Sequence, residues 1–220
     1  MAKRILPDHC CGLIIDLQRF FLSQVSMRLR STIKTNTKNF VRLLGHFGIP
    51  IVVTLERPVS QKGFLPQEIK KHLLPSAKIF EKDCFDLCKE DEIRNYLKAL
   101  KKEQIVIAGC ETDVCVLQSC LGLLSLGYEV YAVEELLFSS SRNTRAATAR
   151  MKAEGAIFLT YKSLYYELLE SVQEGEKLRL LQMTFAIRHF SALIKFDHWS
   201  HCLQRLRVAA RVRFELAAPQ

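Results

Sequence analysis

Residues 105–118, IVIAGCETDVCVLQ, decide the fold of this chain. The run 105–108 is short, apolar and mostly β-branched, which is typical of a buried strand. Gly109 permits a tight exit from that strand, and the polar residues of the turn can cap a following helix. Cys115 then falls in the first helical turn, where free backbone N–H groups and the helix dipole favour a thiolate. The stretch therefore predicts a strand, a sharp turn and a helix that carries a nucleophilic thiol.

Outward from this stretch, apolar strands alternate with amphipathic helices. The strands are apolar throughout, which is typical of a parallel sheet covered on both faces. We therefore predict an α/β fold: a three-layer αβα sandwich with a central, mostly parallel, doubly wound sheet of about five or six strands. The predicted strands are 11–16, 51–55, 79–80, 105–108, 129–133 and 156–160. The predicted helices are 28–47, 90–101, 114–126, 144–154 and 162–172, and 56–77 is read as a long loop with room for one turn of helix.

The chain of 220 residues is long enough for one sizeable domain with an appendage. We place the domain at 8–173 and a basic helical extension at 174–220, where helix-like patterns cover 178–193 and 199–214. Of the formal charge of +9, the stretch from Glu176 onward carries +5, from eight Lys or Arg against three acids. This extension contains no nucleic-acid motif, so we expect it to pack on the domain or a second subunit rather than bind nucleic acid or a membrane.

The sequence gives no sign of export. No apolar stretch approaches the roughly 18 to 20 residues of a membrane helix, and Pro7, Asp8 and His9 interrupt the N-terminal apolar run. We expect a cytoplasmic protein whose eight cysteines are reduced. Because Cys-x2-Cys pairs are absent, a zinc ribbon or a thioredoxin-like site is disfavoured.

Three chemically useful side chains stand at or just beyond the ends of predicted strands: Asp16, Lys82 and Cys115. In doubly wound sheets ligands bind at the carboxyl ends of the strands, where these residues would meet. A partly desolvated carboxylate can accept the thiol proton while the ammonium holds the two anions in place. Each residue alone has an ordinary alternative, as a core thiol, a helix cap or a surface charge; the combination predicts a catalytic site.

Four segments resemble one family. The segment GCETDVCVLQSCLGLLSLGYEVYAVEE (109–135) is similar to the nucleophile segment of the isochorismatase-like cysteine hydrolases, which include nicotinamidases and related amidases. LIIDLQRFF (13–21) resembles their first strand with its aspartate, and IFEKDCFD (79–86) resembles their lysine segment. SSSRNTRAATARMKAEGAIFLT (139–160) resembles the Arg-led helix and last strand of that fold. The resemblance runs from about residue 10 to 172.

This resemblance implies a catalytic triad of Cys115, Asp16 and Lys82. It also implies a cis peptide between Cys110 and Glu111, which aims the backbone N–H groups of Glu111 and Cys115 at the oxyanion of a tetrahedral intermediate. In the implied reaction Asp16 takes the thiol proton, and Cys115 attacks an amide-type carbonyl. Asp16 then protonates the leaving amine, and water hydrolyses the acyl-enzyme.

The resemblance also suggests what the site holds. Nicotinamidases of this family bind a metal through an Asp-x-His motif after the second strand, but TLERPVSQKGFLPQ (54–67) contains no histidine. We therefore expect no metal and no other cofactor. The expected substrate is a small carboxamide or a related compact molecule, although isochorismate hydrolysis cleaves a vinyl ether and fold resemblance does not decide between these chemistries. Family members usually assemble, so a homo-oligomer, a dimer or larger, is implied.

Gln18, Phe21 and Phe85 are candidate pocket residues, with a capping or core role as the alternative for each. A rival hypothesis is a catalytically silent protein that keeps this fold as an oligomeric scaffold or binding module. A redox role for Cys110, Cys115 and Cys120 is disfavoured, because residues five apart on a helix, such as 115 and 120, are displaced by about 140° around its axis.

Overall fold

The computed structural model describes residues 3–171, which contain six strands and eight α-helices. The strands form one sheet, and every neighbouring pair is parallel. Across the sheet the order is β3-β2-β1-β4-β5-β6. The predicted α/β fold class is confirmed. In chain order the strands are β1 (Cys10–Ile15), β2 (Ile51–Glu56), β3 (Lys78–Lys82), β4 (Gln104–Gly109), β5 (Glu129–Leu137) and β6 (Ile157–Leu159).

Helices cover both faces of the sheet. Apolar residues of α1, α2 and α8 pack into the core on one face, and those of α5, α6 and α7 pack into the core on the other. The central strands β1, β2 and β4 are buried along their whole length, which explains why their sequences are apolar on both sides. The helices are α1 (Arg19–Ser23), α2 (Met27–His46), α3 (Val59–Lys62), α4 (Gln67–Lys70), α5 (Asp91–Ala99), α6 (Leu117–Ser125), α7 (Arg145–Ala153) and α8 (Tyr161–Leu169).

The long helix α2 shows how the sequence specifies one covering layer. The Ser26 side chain accepts a hydrogen bond from the Leu29 N–H, which caps the first turn. Ile33, Phe40 and Leu44 share the buried face at helical spacing. Gly48 follows the helix with a positive φ of 64° and ends it, as the sequence predicts.

At the end of β4 the chain approaches β1 so closely that only glycine fits. Gly109 has φ 125°, and a Cβ there would lie 2.0 Å from the Ile15 carbonyl oxygen. The next residue continues this contact. The Cys110 N–H donates to the Ile15 backbone oxygen at 2.9 Å, and the Cys110 thiol lies 3.0 Å from the Asp16 backbone oxygen. The exits of β1 and β4 are therefore held side by side.

The structure differs from the predicted elements in several places, one of which is the helix α1, Arg19–Ser23, that the sequence analysis does not predict. The predicted helix 114–126 begins as a π-helical turn, Thr112–Val116, before α6. The predicted loop 56–77 contains the short helices α3 and α4. The strand predicted to end at residue 133 continues to Leu137, past the two exposed glutamates 134 and 135.

The predicted extension from residue 174, with its helices at 178–193 and 199–214, lies outside the described residues, as does the domain boundary at 173. Within residues 3–171, no helix is both long and apolar enough to cross a membrane.

Candidate active site

The topology brings three of the predicted residues together. Chain order in the sheet reverses between β1 and β4, and such a switch point opens a crevice at the carboxyl ends of the strands. Asp16 directly follows β1, Lys82 is the last residue of β3, and Cys115 lies in the π-helical turn that follows β4. We call this side of the sheet the carboxyl edge.

Asp16 and Lys82 form a buried ion pair. Lys82 Nζ lies 2.7 Å from Asp16 Oδ2, and both side chains are fully buried. Thr54 Oγ1 donates to Asp16 Oδ1 at 2.8 Å, and Lys82 Nζ donates to the Cys84 carbonyl at 3.1 Å. Oδ2 receives no hydrogen bond of good geometry from the described residues, despite its short distance to the ammonium. The ammonium is thus the close neighbour of this carboxylate oxygen.

Asp16 has an unusual backbone conformation and a carboxyl of raised pKa. Its φ of 49° lies in the left-handed region, a conformation that costs a non-glycine residue about 1–3 kcal/mol. Desolvation raises the pKa of the Asp16 carboxyl, although Lys82 and Thr54 act in the opposite direction. For Lys82, burial is the largest single influence and lowers the pKa, but the nearby Asp16, Cys115 and Glu56 together raise it. The lysine therefore stays protonated beside a carboxyl of raised basicity.

Cys115 is a buried thiol whose surroundings oppose ionisation. Only 1% of the residue is exposed, and its Sγ donates to Glu56 Oε2 at 3.1 Å. Burial, and after it the charge of Asp16, raises the pKa of the thiol. These influences oppose the thiolate that the sequence predicts at a helix N-terminus. Desolvation and the adjacent acids outweigh the backbone N–H groups of the turn.

Glu56 is the site residue that the sequence analysis missed. It is the last residue of β2, and it is 8% exposed. The Lys62 ammonium binds Glu56 Oε1. The Gln18 side-chain amide accepts from the Glu56 backbone N–H at 2.8 Å and donates to the Glu56 backbone oxygen at 3.1 Å. The rule that pointed to Asp16 and Lys82, a charged residue at a strand end, also points to Glu56.

The three side chains of Asp16, Glu56 and Cys115 offer ligand atoms that lie within 4.8 Å of one another. Among residues 3–171 this is the one group of at least three such side chains that could hold a metal, and it contains no histidine. The Lys82 ammonium already lies against the Asp16 carboxylate, where it supplies the positive charge that a metal would supply. The residues of this cluster therefore do not fit a metal site of the Asp-x-His kind.

The three predicted pocket residues have different surroundings. The Gln18 amide is fully buried and used by backbone groups, including the Gly63 oxygen at 2.8 Å, so it braces β2 instead of lining a pocket. Phe21 packs in the core, with Lys62 Nζ 6.0 Å from its ring centre. Phe85 is 53% exposed and lines a surface hollow beside the site. The reason in each case is packing that a single sequence does not reveal.

Glu111 occupies the turn that carries Cys115. The peptide bond between Cys110 and Glu111 is cis. The Glu111 carboxylate accepts from the Ser139 hydroxyl and from both the hydroxyl and N–H of Ser140, at 2.7 to 2.9 Å. These bonds fasten the turn to the loop after β5. The oxyanion role of the N–H groups of Glu111 and Cys115 stays a prediction.

Two surface hollows flank the buried cluster at the carboxyl edge. The first, of about 780 Å³, is lined by Arg57, Pro58, Val59, Ser60, Phe64, Glu81 and Asp83. The second, of about 430 Å³, is lined by Asp83, Cys84, Phe85, Asp86, Lys89, Asp113, Val114 and Gln118. Asp83 is common to both. Cys115 lines neither hollow, although the first contains Arg57, next to Glu56 in sequence, and the second contains Val114, next to Cys115.

Comparison with known proteins gives a consistent result. The family model of the isochorismatase domain matches residues 10–163. "Isochorismatase family protein 1B" of Dictyostelium discoideum is 30% identical over 169 residues, which are 75% of this chain and 81% of that protein.

Two solved structures are similar over most of the chain. YcaC from Pseudomonas aeruginosa, solved with hexane-2,5-diol and covalent acrylamide, is 26% identical with a TM-score of 0.72, and the match covers 79% of this chain and 86% of that one. YcaC from Escherichia coli, described as an octameric hydrolase of unknown specificity, has a TM-score of 0.79 at 23% identity, over 90% and 98% of the two chains. The second likeness shows the fold alone.

Proposed function

This chain belongs to the isochorismatase family, and we propose that it is a cysteine-dependent hydrolase of a small carboxamide or a related C–N bond. The observation that carries the proposal is the buried pair of Asp16 and Lys82, 2.7 Å apart, with the Cys115 sulfur within 4.8 Å of the Asp16 carboxylate. A buried ion pair adds little stability by itself, and its desolvation cost is better explained by a chemical role.

The proposed reaction starts from a neutral thiol. As the Cys115 sulfur bonds to the substrate carbonyl carbon, its proton passes to Asp16, whose raised pKa suits a general base. The electron pair of the C=O bond moves to the carbonyl oxygen, and the N–H groups of Glu111 and Cys115 receive that oxyanion. Lys82 stays protonated, and its positive charge offsets the negative charge that passes from Asp16 to the carbonyl oxygen.

The second half of the reaction returns the site to its starting state. The C–N bond breaks as the oxyanion collapses, and Asp16 delivers its proton to the departing nitrogen. Water then attacks the thioester and gives a proton to Asp16. The C–S bond breaks, a carboxylic acid leaves, and the Asp16 proton returns to the sulfur.

The reactivity of a relative supports the choice of nucleophile class. The YcaC protein from Pseudomonas aeruginosa carries covalent acrylamide in its structure, so a small amide reaches a reactive group of that protein. In this chain the Cys115 thiol is the nucleophile that lies beside a base and an ammonium.

A screen for ammonia release from small amides and ureas tests the proposal. We expect at least one compound to release ammonia with the wild-type protein and none with Cys115→Ala. Cys84→Ala is the matched control, because this partly exposed thiol lies at the same edge beside Glu90, outside the cluster of Asp16, Glu56 and Cys115. Ammonia release that survives in Cys115→Ala, or that Cys84→Ala abolishes, contradicts the assignment.

A second candidate function is that of a catalytically silent member which uses the fold for assembly. The burial and raised pKa of the Cys115 thiol favour it. The Escherichia coli YcaC protein is octameric, and we propose that this chain also forms a homo-oligomer. Light scattering measures that state. An oligomer that hydrolyses none of the compounds in the screen favours the silent scaffold.

A further inference from the structure

Glu56 places a second carboxylate beside the reacting sulfur. Its Oε2 lies 3.1 Å from Cys115 Sγ, on a side chain that is held by Lys62 at the other oxygen. Its backbone is fixed by the two hydrogen bonds to Gln18. The position of the carboxylate is thus set by the end of β2 and the short helix α3, and the triad reaction leaves it without a task.

This second carboxylate is ionised at neutral pH. Desolvation is the largest single influence on Glu56 and raises its pKa, but the hydrogen bonds from Lys62 and Cys115 together lower it below the ordinary value. Asp16 differs, because there desolvation prevails and raises the pKa. Of the two acids beside the thiol, Asp16 is the better base and Glu56 is the more persistent anion.

The reaction changes the hydrogen bonding of Glu56. In the resting state Oε2 accepts a hydrogen bond from the Cys115 thiol. Once that proton has moved to Asp16, Oε2 loses this donor, and a buried charged acceptor without a donor is costly. A carboxylate only accepts hydrogen bonds. A carbonyl carbon bound to the sulfur brings its substituents next to Oε2, so an N–H on that carbon restores the lost bond.

Resting on the hydrolase function proposed above, we propose that Glu56 selects the substrate. Its Oε2 binds an N–H of the group under attack, which makes the site specific for N–H-bearing carbonyls such as primary amides and ureas. Esters lack the donor, and carboxylates are also repelled by the charge, so both are disfavoured.

The charges around the site agree with this preference. The chain as a whole has a formal charge of +9, yet the second hollow is lined by three carboxylates, Asp83, Asp86 and Asp113, and one ammonium, Lys89. An acidic approach attracts neutral donors and cations and repels anions. A site for an anionic substrate would have the opposite charge.

The variant Glu56→Gln tests the role of the oxygen itself. Lys62 requires an acceptor, so it holds the glutamine oxygen at the position of Oε1. The amide NH₂ then takes the position of Oε2 and faces the sulfur. This change replaces an acceptor by a donor at the point where the substrate N–H is bound, with little change in shape.

Alkylation of Cys115 measures the preference without a known substrate. Iodoacetamide carries an N–H group and methyl iodoacetate does not, and peptide mass spectrometry gives the rate for each reagent. The rate with iodoacetamide is divided by the rate with methyl iodoacetate, and this ratio is divided by the same ratio for N-acetylcysteine. We expect a normalised ratio about tenfold or more above one for the wild type, and a ratio close to one for Glu56→Gln. Glu103→Gln, at an exposed carboxylate on the opposite edge, keeps the wild-type ratio.

Three results overturn the assignment of Glu56. They are a wild-type ratio close to one, a ratio that Glu56→Gln leaves unchanged, and a Cys115 that neither reagent labels. The wild-type measurement needs no variant, so a folding defect in Glu56→Gln does not protect the proposal. Ammonia release that depends on Cys115 together with a ratio close to one sinks only the role of Glu56. A high ratio without ammonia release sinks the hydrolase and keeps the binding preference.

Discussion

The two edges of the sheet bury polar groups in different ways. We call the side of the sheet where the strands begin the amino edge, and there Gln104 links separate parts of the chain. Its Oε1 accepts from the Leu6 N–H at 2.8 Å, and its Nε2 donates to the Arg4 backbone oxygen at 2.7 Å and to the Glu129 carboxylate at 3.0 Å. At the carboxyl edge, Asp16 and Lys82 are fully buried ions. The amino edge uses neutral amide bonds and a partly exposed acid, whereas the carboxyl edge holds charge out of water.

This difference separates a structural polar cluster from a reactive one. The hydrogen bonds of Gln104 link the N-terminal segment to the sheet and leave no acceptor poised for a proton. In contrast, Asp16 keeps one oxygen without a good hydrogen-bond donor, next to a thiol and an ammonium. Buried polar groups that are fully used stabilise a fold, and groups held partly unused are candidates for chemistry.

The largest expected effect is the difference between replacing Cys115 in the π-helical turn and replacing Cys120 in α6. Cys115 lies beside Asp16 and Glu56, while burial alone raises the pKa of Cys120 to about 12. We expect Cys115→Ser to lower ammonia release about ten-thousandfold or more, because a serine hydroxyl is a far weaker nucleophile in this setting.

Cys120→Ser is the matched change in an apolar environment. It buries a hydroxyl there and should lower the free energy of unfolding by about 1–3 kcal/mol, while the activity of each folded molecule is kept. Urea unfolding and steady-state assays measure both quantities. Similar losses of activity in the two serine variants would remove the distinction between a reactive and a structural thiol.

The next effect compares one carboxylate from each edge. Asp16→Asn leaves the Lys82 ammonium buried without a counter-ion, which should cost about 3–5 kcal/mol of unfolding free energy and lower activity about a hundredfold to ten-thousandfold. Glu129→Gln removes a partly exposed pair with Lys3, 3.2 Å apart, and should cost less than about 1 kcal/mol with activity unchanged. Equal costs for the two variants would show that burial of the Asp16 pair has no energetic consequence.

The smallest effect is a pH dependence of stability at Glu56. The pKa of Glu56 is lowered in the folded state from its ordinary value of 4.5, so the stabilising contribution of its anion is present above pH 4.5. That contribution is lost as the pH falls through the lowered folded value. Urea unfolding of wild type and Glu56→Gln should therefore differ by at most about 1 kcal/mol at pH 7, and the difference should vanish in acid. A difference that grows in acid contradicts the lowered pKa.

The sequence predicts much of the architecture because continuous apolar runs determine parallel strands. Once the strands are parallel, Asp16, Lys82 and Cys115 must lie at the same edge, since each stands at the carboxyl end of its strand or follows it. Glu56 obeys the same rule. The sequence does not single it out, because it begins a proline-containing stretch that is typical of a loop.

Two features of the site depend on packing that a single sequence does not show. The π-helical turn at Thr112–Val116 requires hydrogen bonds between residues five apart, which no composition signal marks. The state of Cys115 depends on how much water reaches the sulfur, and the burial of the turn reverses the effect expected from a helix N-terminus. In the proposed reaction the thiol is therefore activated when Asp16 takes its proton during attack.

A covalent intermediate on Cys115 tests the central claim most directly. A compound that releases ammonia is mixed with the protein, quenched in acid within the first turnovers, and the peptide that contains Cys115 is analysed by mass spectrometry. We expect the mass of the acyl group on Cys115 in the wild type, and no adduct on that peptide in Cys115→Ala. Two results would each contradict a thiol nucleophile at this site. One is ammonia release while the Cys115 peptide stays unmodified at every quench time, and the other is an acyl group found on another residue.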